Sequence, residues 1–492
     1  MLPLRVLRLR GATCHKLRAS LLHRGSFPKI FSQIGTAATA AQPTKKNSIP
    51  ADYIEPLSAL FVSGVSGRYG KFVVDPCIDF NEILNSPPDE FPADLTARNR
   101  SDDLAHLRKR SSELEALGVL RDELEAKRRG KVSGMSIESE EEHLQEIRRS
   151  KDELKKVMAL IAEIEADTVL ELLRLPVPLH DSAPRSSTDL TLIQEFSVVG
   201  MDPVNRCKGG PADEDRRWAE LVEFTEDAPR GYFLRGDLAE MELEVIAKAQ
   251  NFLDSHSFLL ISGPHLFQAA IMEGVGEDLR SPDQLDAFIV HTEDSHGSPF
   301  RSMYLANSPL VNFAAYLTNC QVRLTALPLR LQSSGRIYRP RRGVPDENRR
   351  FRLFYPSQTH CVSFCSAFSS DESLNPVTSI DILIKEALEC FQQFYTQFGI
   401  PFRIKNKAAC FLRSSEAFRL DVEVWLPSLG AWIECGHAAF HADYVSRRLR
   451  CHVGMVDEGR FLSLVQGSLV ELTPFLAAYL EHYASGPPDR LA

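Results

Sequence analysis

Four residues in this sequence stand at intervals that metal chemistry uses. Cys361 and Cys365 are one such pair, His437 and His441 the other. On a helix, the i, i+4 spacing would bring both imidazoles to one face as ligands. The ten cysteines follow no repeating interval, and no second pair at metal-site spacing accompanies Cys361 and Cys365. Buried free thiols are therefore expected, and no metal. Clustered cations offer a second chemistry. Lys127, Arg128, Arg129 and Lys131 crowd together, and Arg148, Arg149, Lys151, Lys155 and Lys156 follow as a basic stripe. Glu138, Glu140, Glu141, Glu142 and Glu146 dilute that stripe. Such charges either form a solvated helix surface or contact RNA phosphates, because duplex RNA is held largely by shape and backbone. No glycine-rich loop precedes a helix, so neither a dinucleotide site nor a P-loop is supported. No cofactor is expected.

The elements that must position these groups follow from patterning. The chain has 492 residues and a formal charge of −9, which argues against a broad nucleic-acid-coating surface but leaves room for a local basic patch. The first 45 residues alternate arginines and lysines with Leu, Val and Ala, and no acidic residue appears before Asp52. That pattern predicts a mitochondrial transit peptide over 1–45, hence a matrix location. No run of 18 apolar residues supplies a membrane span, so no membrane insertion is expected. A charged, proline-poor region follows. Leu104, Leu107, Leu114, Leu117, Leu120 and Leu124 recur at helical intervals, and so do Leu144, Ile147, Leu154, Val157, Met158, Ile161 and Ile164. Gly130, Ser133, Gly134 and Ser136 between them predict a reversal, giving an antiparallel helical hairpin. The domain reading is an arm over 46–178, a linker over 179–215 and an α+β domain over 216–492. In that last domain, helices are predicted at 237–255, 379–398 and 472–483, with strand-like runs at 258–261, QVRLTALPLRL, THCVSFCSAF and RLDVEVWLP.

Several strings, in this order, resemble the seryl-tRNA synthetase family of class II aminoacyl-tRNA synthetases. GYFLRGDLAEMELEVIAKAQNFLDSHSFLLISGP is similar to the family's motif 1, with Pro264 as its proline. ALPLRLQSSGRIYRPR resembles the entry to motif 2, DVEVWLPSLGAWIE with DYVSRRL the stretch before motif 3, and VQGSLVELTPFLAAYLEHY motif 3 itself. The likeness spans about residues 95–483 and is nearest to a catalytically degenerate mitochondrial paralogue group of insects. It implies a class II antiparallel sheet with flanking helices, preceded by the hairpin arm, and it places His437 and His441 in strand and loop.

The family's chemistry needs arginines for phosphates, carboxylates for magnesium, a carboxylate for the serine ammonium and polar groups for its hydroxyl. The resemblance implies that Arg339, Gln358 and Glu434 are kept. It also implies losses. Arg341 replaces a glutamate, and Tyr355, Pro356 and Ser357 replace the Arg-x-His that precedes Gln358. Ser363 replaces a metal-associated carboxylate. Ser308 and Leu310 fall on the Thr-x-Glu signature, Phe440 on an asparagine and Pro474 on the motif 3 arginine. Proline offers neither charge nor a backbone donor. The expectation is therefore a non-enzyme that serves as a structural or regulatory subunit in mitochondrial translation. Two alternatives stand beside it: a stand-alone RNA-binding protein using the arm, and an enzyme of altered ATP-dependent chemistry. The family dimerises through motif 1, so Leu238, Met241, Val245, Ala249 and Phe252 become dimer-interface candidates. The expected partners are the active mitochondrial seryl-tRNA synthetase, as a heterodimer, and serine tRNA or another RNA.

Overall fold

Strands of alternating character build the centre of the molecule. In the run Phe418–Leu426, Leu420, Val422 and Val424 are fully buried on one face, while Arg419, Asp421 and Glu423 line the other. The computed structural model describes residues 58–60, 76–78, 90–133, 140–186, 192–196, 219–281, 285–292, 295, 297–341, 349–370, 379–454 and 459–482. Its main sheet has eight strands: β1 (Leu192–Phe196), β2 (Leu259–Ile261), β3 (Leu329–Tyr338), β4 (Gln358–Ser369), β5 (Phe402–Asn406), β6 (Phe418–Leu426), β7 (Ala431–Ala442) and β8 (Leu462–Glu471). Their spatial order is β1-β5-β6-β7-β8-β4-β3-β2. The pairing is antiparallel except at one edge, where β2 runs parallel to β3. β7 and β8 approach so closely at Gly467 that an added Cβ would lie 2.2 Å from the His437 carbonyl oxygen. No side chain fits there, which accounts for the glycine.

Helices cover both faces. α4 (Asp237–Ser255), α7 (Ile380–Thr396) and α9 (Leu472–His482) pack on the face that carries Phe364, Val422 and Leu469. α5 (Ala269–Gly274), α6 (Pro309–Leu317) and α8 (Tyr444–Leu449) pack on the opposite face, against Leu331, Cys365 and Leu464. α4 buries Leu238, Met241, Val245 and Ala249 in the chain's own core, and Phe252 packs beside Phe394. This corrects the expected role of Leu238, Met241, Val245 and Ala249, since side chains already enclosed by their own sheet cannot form a dimer surface; Phe252 is half-buried. The outward residues of this region are Leu243, Leu259 and Leu260, between 53% and 67% exposed.

The hairpin consists of α2 (Leu104–Ser133) and α3 (Glu140–Arg174), preceded by α1 (Glu90–Ala97). α2 runs through Gly130 to Ser133, so these two residues, expected in a reversal, are helical; residues 134–139, with Gly134 and Ser136, lie outside the described residues. Leu107, Leu124, Leu154 and Ile164 are buried, whereas Leu120 and Met158, placed by periodicity in the stripes, face solvent. At the arm's root, Phe91, Leu95, Leu104, Leu107, Leu172 and Leu175 form a small core between α1, α2 and the end of α3. Arg98 pins it further by donating to the carbonyls of Arg413, Val177 and Glu416 at 3.1, 2.9 and 2.6 Å. Part of the expected 179–215 linker is structural, because Leu179 and Ala183 lie in the core and β1 is the sheet's edge strand. The described residues all belong to one compact unit, 54–492. The transit-peptide segment 1–45 and residues 197–218 lie outside the described residues. Among those that are described, no helix is long and apolar enough to cross a membrane.

Candidate functional site

On the α5/α6/α8 face of the sheet, a cleft of about 200 Å3 opens between α6 and strands β6, β7 and β8. The period of two carries Arg419 and Asp421 of β6 to this side. On β7 a bulge skips Cys435, because Gly436 pairs with Val422 and Glu434 with Glu423. The extra residue resets the alternation, so Glu434, His437 and His441 all face the cleft. The histidine pair thus stands on a strand, not on a helix. Among the described residues, no group of three or more His, Cys, Asp or Glu side chains is placed to hold a metal ion. Cys361 and Cys365 are buried in β4, and burial pushes both thiols well up.

Arg419 is the hub of the cleft wall. It donates to Glu416 at 3.0 Å, to Asp421 at 2.6 Å and to Glu434. Lys407 adds contacts to Asp421 at 3.1 Å and to Glu434 at 3.3 Å. Burial raises Glu416, but Arg419, then Arg413 and His441, outweigh it and hold its carboxyl at about 2 against an ordinary 4.5. Glu434 goes the same way: burial opposes its charge, and Arg419 and Lys407 bring it well below the usual range. Asp421 moves oppositely, raised by burial and by Glu434. Burial, assisted by Arg419, keeps His437 far below its ordinary value and therefore neutral. His441 is also lowered by burial. Its Nδ1–H donates to the Ser415 carbonyl at 2.9 Å, which leaves Nε2 as an acceptor. Among the described residues, three buried polar atoms of the cleft lack a hydrogen-bond partner: His441 Nε2, His437 Nδ1 and the Gln466 amide nitrogen.

The cleft gathers Ser308, Leu310, Arg339, Arg341 and Glu434 from the expected site residues. Ser308 is the residue before α6, and Leu310, 5% exposed, presents hydrocarbon where the family resemblance calls for a carboxylate. Arg339 donates through Nε to the Asn307 carbonyl at 2.8 Å, and its two terminal nitrogens meet both oxygens of Glu471 at 3.1 and 3.2 Å. Burial opposes its charge, yet Glu471 raises its pKa above arginine's ordinary value. Arg341 has left-handed backbone, with φ 54°, and its Nε donates to the Pro356 carbonyl at 3.3 Å.

The remaining expected positions lie elsewhere. Tyr355 is exposed, and its carbonyl accepts from Arg230. The Ser357 carbonyl accepts from the Arg339 amide at 2.7 Å, while its buried hydroxyl has no hydrogen-bond partner among the described residues. Gln358 begins β4, and its carbonyl accepts from Tyr232. Ser363 donates to the Ser333 carbonyl beside a separate small crevice. Phe440 points to the sheet's other side, toward His180 and Phe368, so its cleft-facing neighbour His441 is the chemically relevant residue there. Pro474 is buried in the first turn of α9. Sequence reasoning missed Glu471, Arg419, Glu416, Lys407 and Gln466. The one available signal was the charged alternation of Arg419, Asp421 and Glu423 within RLDVEV.

Lys127, Arg128, Arg129 and Lys131 belong to the last turns of α2. Arg148, Arg149, Lys151, Lys155 and Lys156 are all exposed along α3.

Residues 282–483 match the model of the tRNA synthetase class II core domain (G, H, P, S and T). The chain is similar to the serine–tRNA synthetase-like protein Slimp of Drosophila melanogaster, at 22% identity over 447 residues, covering 87% of this chain and 89% of that protein. Its fold is similar to the cytoplasmic serine–tRNA ligase of Naegleria fowleri solved with AMP: TM-score 0.68, 19% identity, 84% of this chain and 95% of that one. It is also similar to the seryl-tRNA synthetase of Pyrococcus horikoshii solved with ATP: TM-score 0.67, 18% identity, 82% and 94%. The architecture is the class II seryl-tRNA synthetase-like fold.

Proposed function

We propose that this chain, built on the class II seryl-tRNA synthetase-like fold, is a non-catalytic protein of the mitochondrial matrix that supports translation as a structural or regulatory subunit. The observation that carries the reading is the commitment of four of the cleft's five cations, all but Arg341, to carboxylates of the chain itself. Arg339 is held by Glu471, Arg413 by Glu277, and Lys407 and Arg419 by Asp421 and Glu434. Phosphate binding at such a site would require these pairs to break. Leu310 and Pro474 support the same reading, since neither can offer the charge that serine activation calls for. The purified protein is expected to give no serine-dependent exchange of pyrophosphate into ATP. Pro474→Arg should leave the rate at background, because Leu310 and the Arg339–Glu471 pair remain. Exchange above a protein-free control would establish an enzyme of altered chemistry instead.

Two surfaces suit a supporting role. Leu259 and Leu260 on the edge strand β2 and Leu243 on α4 are outward apolar side chains, and an edge strand with apolar side chains favours a partner. The partner in this reading is the active mitochondrial seryl-tRNA synthetase, with the exposed basic stripe of α3 contributing phosphate contacts to bound RNA. Co-expression of the two chains followed by native mass spectrometry should give a mass equal to one copy of each. Only separate homodimers at micromolar concentration would sink the heterodimer.

A further inference from the structure

We propose that Glu471 is a resident carboxylate occupying an oxoanion site on Arg339, so that the chain itself closes its cleft to phosphate-bearing ligands and loss of that one charge opens it. The inference rests on the non-catalytic reading and supplies a physical cause for part of it.

A guanidinium grips a phosphate through two parallel N–H bonds, and Glu471 takes that fork, with both oxygens engaged. Nε is spent on the Asn307 carbonyl, so Arg339 has no fork left for an arriving ligand. The pair is desolvated, with side-chain exposures of 12% and 7%, which strengthens the attraction that a competitor must overcome. The carboxylate is also fixed in place. Glu471 is the last residue of β8, paired with Cys361 across β4, and α9 begins at the next residue. Its side chain therefore projects from backbone anchored on both sides, so the carboxylate can shift only by turning about its own side-chain bonds. An anion that displaced it would leave a buried carboxylate beside itself, a like-charge contact in a poorly solvated place.

The rest of the cleft shows which ligand the site would accept once that charge is gone. Arg341 lines the same cleft, and its side chain donates to a backbone carbonyl. With Glu471 neutral, Arg339 and Arg341 are two neighbouring guanidinium groups relieved of that carboxylate, and Asp286 and Glu434 are the acidic groups left acting on both. The Gln466 amide nitrogen, buried and without a protein partner among the described residues, adds a neutral donor. Two cations and a donor suit an oxoanion of more than one negative charge, of the phosphate or pyrophosphate class.

The test uses the full chain and inorganic pyrophosphate, followed by calorimetric titration. Wild-type protein is expected to show no saturable binding at millimolar ligand. Glu471→Gln, which keeps the shape and removes the charge, should bind at least about tenfold more tightly, and adding Arg339→Met should abolish the gain. Glu471→Ser serves as a second opening variant, and each is read together with its own unfolding midpoint. Pyrophosphate should raise the midpoint of the opened variants and not that of wild type. Equal affinity in wild type and folded Glu471 variants would overturn the proposal, as would binding that survives Arg339→Met. Serine-dependent exchange by the wild type would remove the non-catalytic reading itself. A folded Glu471 variant that stays blind to pyrophosphate would remove only this inference.

Discussion

Replacing Arg419 with methionine should destabilise the protein by about 3–5 kcal/mol at neutral pH, the range measured when one partner of a buried ion pair is removed. The guanidinium, 9% exposed in its side chain, is shared by Glu416, Asp421 and Glu434. Methionine fills a similar volume but leaves these three carboxylates facing one another, with Lys407 as the cation paired to two of them. The expected result is a fall in the urea midpoint at unchanged slope. Adding Glu416→Gln should recover part of the loss, because it removes one of the stranded charges. A change below about 1 kcal/mol would mean that water screens the network as it does surface pairs.

Acid should act on the same network in a predictable direction. Glu416 is held at about 2 when folded, against 4.5 ordinarily, so the unfolded chain binds its proton first as pH falls. The contribution is fully present above pH 4.5 and is lost progressively as pH drops toward 2, amounting to about 3 kcal/mol over that window. Asp421, being raised, contributes with the opposite sign, so the wild-type curve alone mixes the two. The informative quantity is the difference between wild type and Glu416→Gln in urea unfolding at pH 7, 5 and 3. Wild type should lose more stability than the variant between pH 5 and 3. Parallel pH profiles would show that Glu416 is not held down by Arg419.

Periodicity and family likeness revealed the helices at 237–255, 380–396 and 472–482 almost to the residue, because long apolar stripes on a buried face leave little freedom. The same stripe misled where its destination mattered. Leu238, Met241 and Val245 have the spacing of any buried helix face, and nothing in that spacing separates a chain's own sheet from a partner's. Leu310 and Arg341 were legible as chemical departures from a pattern, and both line the cleft. Glu471 was not, because the string VELTP was read for the arginine that Pro474 displaces, and a strand-end carboxylate finds its partner 132 residues away only through the fold. Phe440 shows the limit of matching by position. The bulge at Cys435 decides which side chains of β7 reach the cleft, and such an irregularity leaves little mark in composition.

Arg98 ties the base of the arm to the carbonyls of Arg413 and Glu416, whose side chains belong to the cleft wall. At 1.5 Å per residue, the 30 residues of α2 extend about 45 Å from that fastening. The arm is thus a lever with its fulcrum beside the cleft. A tilt of one degree at the root sweeps the far end through about 0.8 Å, and the reverse gearing also holds. A partner gripping the far end with little force exerts its full torque on the short segment carrying Arg413 and Glu416. Ångström-scale movement out there arrives at the ion pairs reduced to hundredths of an ångström, within what buried contacts absorb without breaking.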